Sequence, residues 1–161
     1  MGSMNNIKAL IVMALLLAPA ALAQKVVTAT DATQVTRVLA ANGYKFSLDS
    51  ENDGTPLIRL QIGDGYKAIL FFYDDDPGQP GYESLQLYAG FSVDGKIALA
   101  TVNDWNYNYR FGKVYLDDEL DPVIESDLDL SGGVALEGTL LVFIQNFEAA
   151  FDSFVEEVVG E

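Results

Sequence analysis

The apolar positions of this chain change period several times, and each change marks an element. Val35, Val38 and Leu39 sit at helical spacing behind Asp31 and Gln34, which form a capping-box pattern; Asn42-Gly43 closes that helix. The period then becomes two. Tyr44, Phe46 and Leu48 share one face, and Ile58, Leu60 and Ile62 share another against Arg59 and Gln61. The run from Ala68 to Tyr73 is nearly continuous in apolar residues, which predicts the central, most buried strand. Leu85, Leu87, Ala89 and Phe91 alternate again. Asn52-Asp53-Gly54, Gly63-Asp64-Gly65 and a longer "DDDPGQPG" loop separate these runs, as a strand meander requires.

After Asp94-Gly95, helical spacing returns through Ile97, Leu99, Val102 and Trp105. Val114 and Leu116, then Val123 or Ile124 with Leu128 and Leu130, predict a hairpin turning at Leu120-Asp121-Pro122. The widest stripe comes last: Leu136, Leu140, Phe143, Ile144, Phe147, Phe151, Phe154 and Val158 recur at steps of three and four. The predicted order is α-ββββ-α-ββ-α. Its fold class is α+β, an antiparallel meander with helices packed on it, in one domain over residues 24–161. The last stripe predicts core, with a homodimer seam as the alternative, because Leu141 and Val142 widen it.

The first 23 residues read differently. Lys8 precedes an apolar run from Ala9 to Ala18, and Ala21-Leu22-Ala23 fits a signal-peptidase site before Gln24. Residues 1–23 are therefore expected to be a signal peptide, with Met1-Gly2-Ser3 as a cloning scar and an uncleaved anchor as the alternative. The expected location is a bacterial periplasm or the extracellular space.

Composition narrows the chemistry. The 161 residues include no Cys and no His, and the formal net charge is −15. Disulfides, thiol nucleophiles and imidazole bases are excluded. Nine basic residues among 24 acidic ones disfavour nucleic acid and anionic membranes. No cofactor, metal site or catalytic residue is expected. "DSENDG" at 49–54 imitates the start of a calcium-binding loop, but Leu60 stands at the position that needs Glu. Asp117 and Asp118 are neighbours, so on a strand they point to opposite faces and cannot act as a carboxylate pair.

The stretch "NDWNYNYRFGKVYLDDELDP", residues 103–122, holds the remaining candidates. Trp105 is the only Trp. It would either cover the sheet or anchor a partner. Asn103 and Asn106 would satisfy main-chain groups, and Arg110 would pair with Asp117 or Asp118 or mark a groove. Trp105, Arg110, Asn103 and Tyr107 are the candidate partner-binding residues. The spacing Asn103-x-Trp105-Asn106, then Arg110-Phe111-Gly112-Lys113, an acidic hairpin with Asp117, and Gly132-Gly133-Val134 resembles the YbjN family, whose members are associated with bacterial sensory transduction. The similarity spans about residues 28 to 159. It implies a fold like the type III secretion chaperones, which bind other proteins, often as dimers, and catalyse nothing. The expected function is therefore non-catalytic binding of a protein or peptide through apolar and aromatic contact on the sheet or the Trp105 region, with negative charge steering a basic partner. A small-ligand or calcium sensor is the alternative.

Overall fold

A computed structural model of the protein describes residues 25–73, 81–133 and 135–160. The expected signal peptide and the Asp74-Asp75-Asp76 loop lie outside the described residues. The elements run β1 (Val26–Val27), α1 (Ala32–Ala41), β2 (Phe46–Ser50), β3 (Pro56–Ile62), β4 (Tyr66–Tyr73), β5 (Ser84–Gly90), α2 (Leu99–Asn108), β6 (Lys113–Leu116), β7 (Pro122–Asp129), β8 (Ala135–Leu136) and α3 (Glu137–Phe154). A π-helical turn, Val155–Val159, extends α3. The α+β class and the order of the larger elements are those the pattern predicts.

The main sheet is antiparallel throughout, in the order β2-β3-β4-β5-β7-β6. Strands β2 to β5 form the expected meander. The later hairpin then lays its second strand, β7, beside β5 and leaves β6 at the edge. Strands β1 and β8 form a small separate ladder that the sequence pattern did not predict, because two residues carry no periodicity. Leu136, assigned to the terminal stripe, belongs to β8 and is 41% exposed.

Local chemistry sets the ends of α1. The Asp31 carboxylate accepts from the Thr33 N–H at 2.9 Å, and Asn42 Nδ2 donates back to the Val38 carbonyl at 2.8 Å. Gly43 follows at φ +80, a left-handed conformation that side chains resist. The stripe of α3 is spent on the core: Leu140, Ile144, Phe147, Phe151 and Phe154 are buried, and Phe151 stacks on Phe91 at 5.9 Å. Val142 remains half exposed. The π turn inserts one residue, so Val155 and Val158 both turn inward after Phe154.

One core unites Val35, Val38 and Leu39 of α1, Val102 and Trp105 of α2 and the α3 stripe with one face of the sheet. That face presents Ile58, Leu60, Leu70, Phe72, Leu85, Leu87 and Ile124. Leu99 of α2, expected on the core side, is exposed. The opposite face of the sheet contributes nothing to this core. Strand β4 is central as predicted, but its burial alternates: Ala68, Leu70 and Phe72 are buried, whereas Ile69 and Phe71 are only partly covered. The apolar run reflects a second face that lies outside this core, although Leu57, Val123 and Glu125 on it are buried.

Candidate functional site

The open face is built by register. Across it, Arg59 lies opposite Ile69, Ile69 opposite Tyr88, Tyr88 opposite Glu125, and Glu125 opposite Lys113. A second row joins Asp49, Leu57, Phe71, Gln86 and Asp127. Because strand side chains alternate, one strip carries aliphatic, aromatic and charged groups from six strands. Phe71 contacts Tyr73 and Tyr88 with ring centroids 6.2 Å and 6.1 Å apart. Tyr88 leans along its strand over Gly90, where a methyl group would come within 3.0 Å of the tyrosine hydroxyl.

Polar groups on this face are tied down. Glu125 is 8% exposed and accepts from Lys113 Nζ at 2.6 Å and from the Tyr115 hydroxyl at 2.5 Å. Burial, reinforced by Glu125, pushes the Tyr115 phenol well above the usual tyrosine range. Burial likewise raises Tyr88, with Asp117 and Glu125 adding to it. The hydrogen bond to Glu125 raises Lys113. Gln86 links the neighbouring row, accepting from Tyr73 at 3.3 Å and donating to Asp127 at 2.8 Å.

Toward β2 the same face becomes cationic. A groove of about 670 Å³ is lined by Lys45, Ser47, Arg59, Gln61, Gly65 and Lys67, among others. A smaller hollow of about 240 Å³ shares Arg59 and Lys67 and continues over Ile69, Tyr88 and Gly90. Three of the nine basic residues thus meet in one place on a chain of charge −15. Arg59 pairs with Asp49 at 3.3 Å. Lys45 and Lys67 have no carboxylate in salt-bridge range among the described residues.

The residues singled out from the sequence lie elsewhere, on α2 and the turn after it. Trp105 is 1% exposed and stacks on Tyr109 at 5.2 Å. Its ring packs so closely on Gly112 that an added methyl group would sit 3.1 Å from it. The ring belongs to the core and offers no surface to a partner. Asn103 and Tyr107 face solvent, Tyr107 almost fully. Arg110 does not pair with Asp117 or Asp118; its guanidinium lies 5.0 Å over the Phe111 ring. Asp117 is occupied in the turn, accepting from the N–H groups of Glu119 and Asp121 at 3.0 Å and 2.9 Å. That turn holds Leu120 at φ +68.

The acidic loops are engaged in the same way. Asp49 accepts from the Ser50 N–H and Asp53 from the Thr55 N–H, and these bonds lower both carboxyl groups; Asp129 is lowered first by the Ser131 side chain and then by the Ser131 N–H that it accepts. Among the described residues no three acidic side chains converge on a metal-sized site.

Sequence reasoning named strands β3 to β5 and the sheet as one contact surface, but assigned none of their outward residues to a site. Arg59 and Gln61 were visible as the polar half of β3. That Lys67 joins them depends on pairing between strands, which periodicity does not encode.

Residues 31–159 match the YbjN family, described as "Putative bacterial sensory transduction regulator". A comparison with curated proteins gives no match. The match covers most of the chain, from the cap of α1 to the π turn, and the protein belongs to the YbjN family.

Proposed function

We propose that this chain is an exported, non-catalytic binding module that docks a protein or peptide on the open face of its sheet. The observation that carries the reading is the strip from Arg59 to Lys113. One whole face of a six-stranded sheet stays out of the core and presents Ile69, Phe71, Tyr73 and Tyr88. A contiguous apolar and aromatic surface rimmed by charge is how docking sites look on a folded domain. The chain's chemistry supports binding over catalysis. It holds neither His nor Cys, and Glu125, Asp117 and Asp49 are held by structural partners. A family description centred on sensory transduction is compatible with a part that recognises another molecule. Export rests on the residues from Lys8 to Ala23.

A photoreactive phenylalanine analogue at Phe71, compared with one at Val142 on the helical side, tests this. The Phe71 probe should cross-link one discrete protein that the Val142 probe does not. That protein, purified, should bind the native domain and lose at least tenfold affinity for Phe71→Glu, while thermal unfolding of the variant is unchanged. Equal labelling from both positions, or binding indifferent to Phe71→Glu, overturns the reading.

A further inference from the structure

The two edges of the sheet are finished differently. At the β6 edge, Asn106 of α2 occupies the Val114 main chain: Nδ2 donates to the carbonyl at 2.8 Å and Oδ1 accepts from the N–H at 2.9 Å. A further strand cannot pair there without displacing it. No described strand lies beyond β2.

The register shows what the β2 edge offers. Gln61 N–H donates to the Lys45 carbonyl at 2.9 Å and Glu51 N–H to the Thr55 carbonyl at 2.8 Å. Alternation then turns the main-chain groups of Lys45, Ser47, Asp49 and Glu51 toward β3, and those of Phe46, Leu48 and Ser50 outward. The Ser50 N–H is taken by Asp49. The N–H and C=O groups of Phe46 and Leu48 remain, the pattern that an added strand uses. Leu48 is 49% exposed beside them on the helical side.

The other side of the same edge is the cationic groove. Lys45 and Lys67 flank Gln61 across the sheet, about 10 Å apart for alternate strands, with Arg59 one row away. At physiological salt, charges beyond about 8 Å are screened, so these cations and not the net charge govern the groove. Charged side chains on an edge strand normally deter pairing. Here Asp49 and Arg59 are bound to each other, so the cations left without an ion-pair partner among the described residues are Lys45 and Lys67, and they favour acidic strands over basic ones.

We propose that β2 accepts an extended acidic segment of a partner protein as an added strand, paired to Phe46 and Leu48, with its carboxylates over Lys45 and Lys67. Apolar residues at the alternate positions of that segment would meet Phe46 and Leu48. The proposal rests on the docking function above and specifies one contact within it.

Fluorescein-labelled eight-residue peptides alternating Glu with Val, or Lys with Val, test it by anisotropy, with amide hydrogen exchange as the second measurement. The Glu-Val peptide should bind at least tenfold tighter than Lys-Val. The doubly substituted protein Lys45→Glu/Lys67→Glu should lose at least tenfold for Glu-Val. The Phe46 and Leu48 amides should exchange more slowly at saturation. No binding by either peptide, no preference between them, or unchanged exchange at Phe46 and Leu48 overturns the proposal. Should that happen while Phe71→Glu still abolishes partner binding, only the added strand is lost and the open-face reading stands.

Discussion

Asn106 grips Val114 as a neighbouring strand would, with one amide bonded to both main-chain groups of a single residue across the α2–β6 connection. Replacing it with Ala leaves the part-buried N–H and C=O of Val114 without protein partners. The loss should be about 1–3 kcal/mol in urea unfolding. Asn106→Asp keeps the acceptor but sets a carboxylate against the Val114 carbonyl, so it should not rescue. If Asn106→Ala unfolds at the native midpoint, the clasp contributes nothing to the fold.

Trp105 and Gly112 form a second dependency. The ring fills core space against a glycine whose missing side chain makes room for it. Trp105→Ala should cost about 3–5 kcal/mol, and Gly112→Ala about 1–3 kcal/mol through overpacking. The indole N–H has no hydrogen-bond partner among the described residues. Trp105→Phe therefore removes volume without breaking a bond and should cost clearly less than Trp105→Ala. As the only Trp, residue 105 reports directly: native emission should be blue-shifted and move to the red on unfolding. Red-shifted emission from the native protein contradicts its burial.

These two cases show how far residue patterns reach. The alternation of Ile58, Arg59, Leu60 and Gln61 contains the inward and outward faces of β3, and the Phe-rich stripe contains the packing side of α3. Asn106 was readable as a residue that serves main chain, because Asn competes for such bonds at helix ends. The open face was not readable. Ile69 and Phe71 look like core in any local window, since an apolar residue is the same whether an element of its own chain or a partner covers it. The groove was hidden for another reason: Lys45 precedes β2, Arg59 is on β3 and Lys67 on β4, and only pairing register brings them together. The same limit applies to β7, whose place between β5 and β6 is a matter of topology.

Alkaline pH should destabilise the fold through groups that hold their protons longer when folded. Burial, helped by Glu148, pushes Tyr44 up to about 12 from 10.0. Tyr115 is raised by burial and Glu125, and Lys113 by its bond to Glu125. Each raised group contributes fully below its unfolded value. As pH climbs past 10 the unfolded chain releases these protons first, and for Tyr44 the contribution is lost by about pH 12. Urea midpoints should fall between pH 10 and 12, and Tyr44→Phe should fall less steeply. A variant with the native slope would remove Tyr44 from the account.

The charge buried on the open face beside the β6 edge gives the last prediction. Glu125 is buried on β7 with Lys113 opposite it on β6 and Tyr115 reaching across from the same strand. A carboxylate so placed is held by its donors, and removing one leaves its desolvation uncompensated. A hydrogen bond to a charged group is worth about 1.5–3 kcal/mol. The Lys113 side chain is 62% exposed, so solvent competes for it and the loss in Lys113→Met should be nearer 1 kcal/mol. Glu125→Gln keeps the shape and accepts from Tyr115 but leaves the ammonium without its charge partner. The double variant should therefore cost less than the two single changes together, because once the carboxylate is neutral the lysine has no ion pair left to lose. Strict additivity in the thermodynamic cycle would mean that the two side chains do not stabilise each other. Coupling would mean that the face around Tyr88 and Tyr115 is stabilised by a bridge between its last two strands.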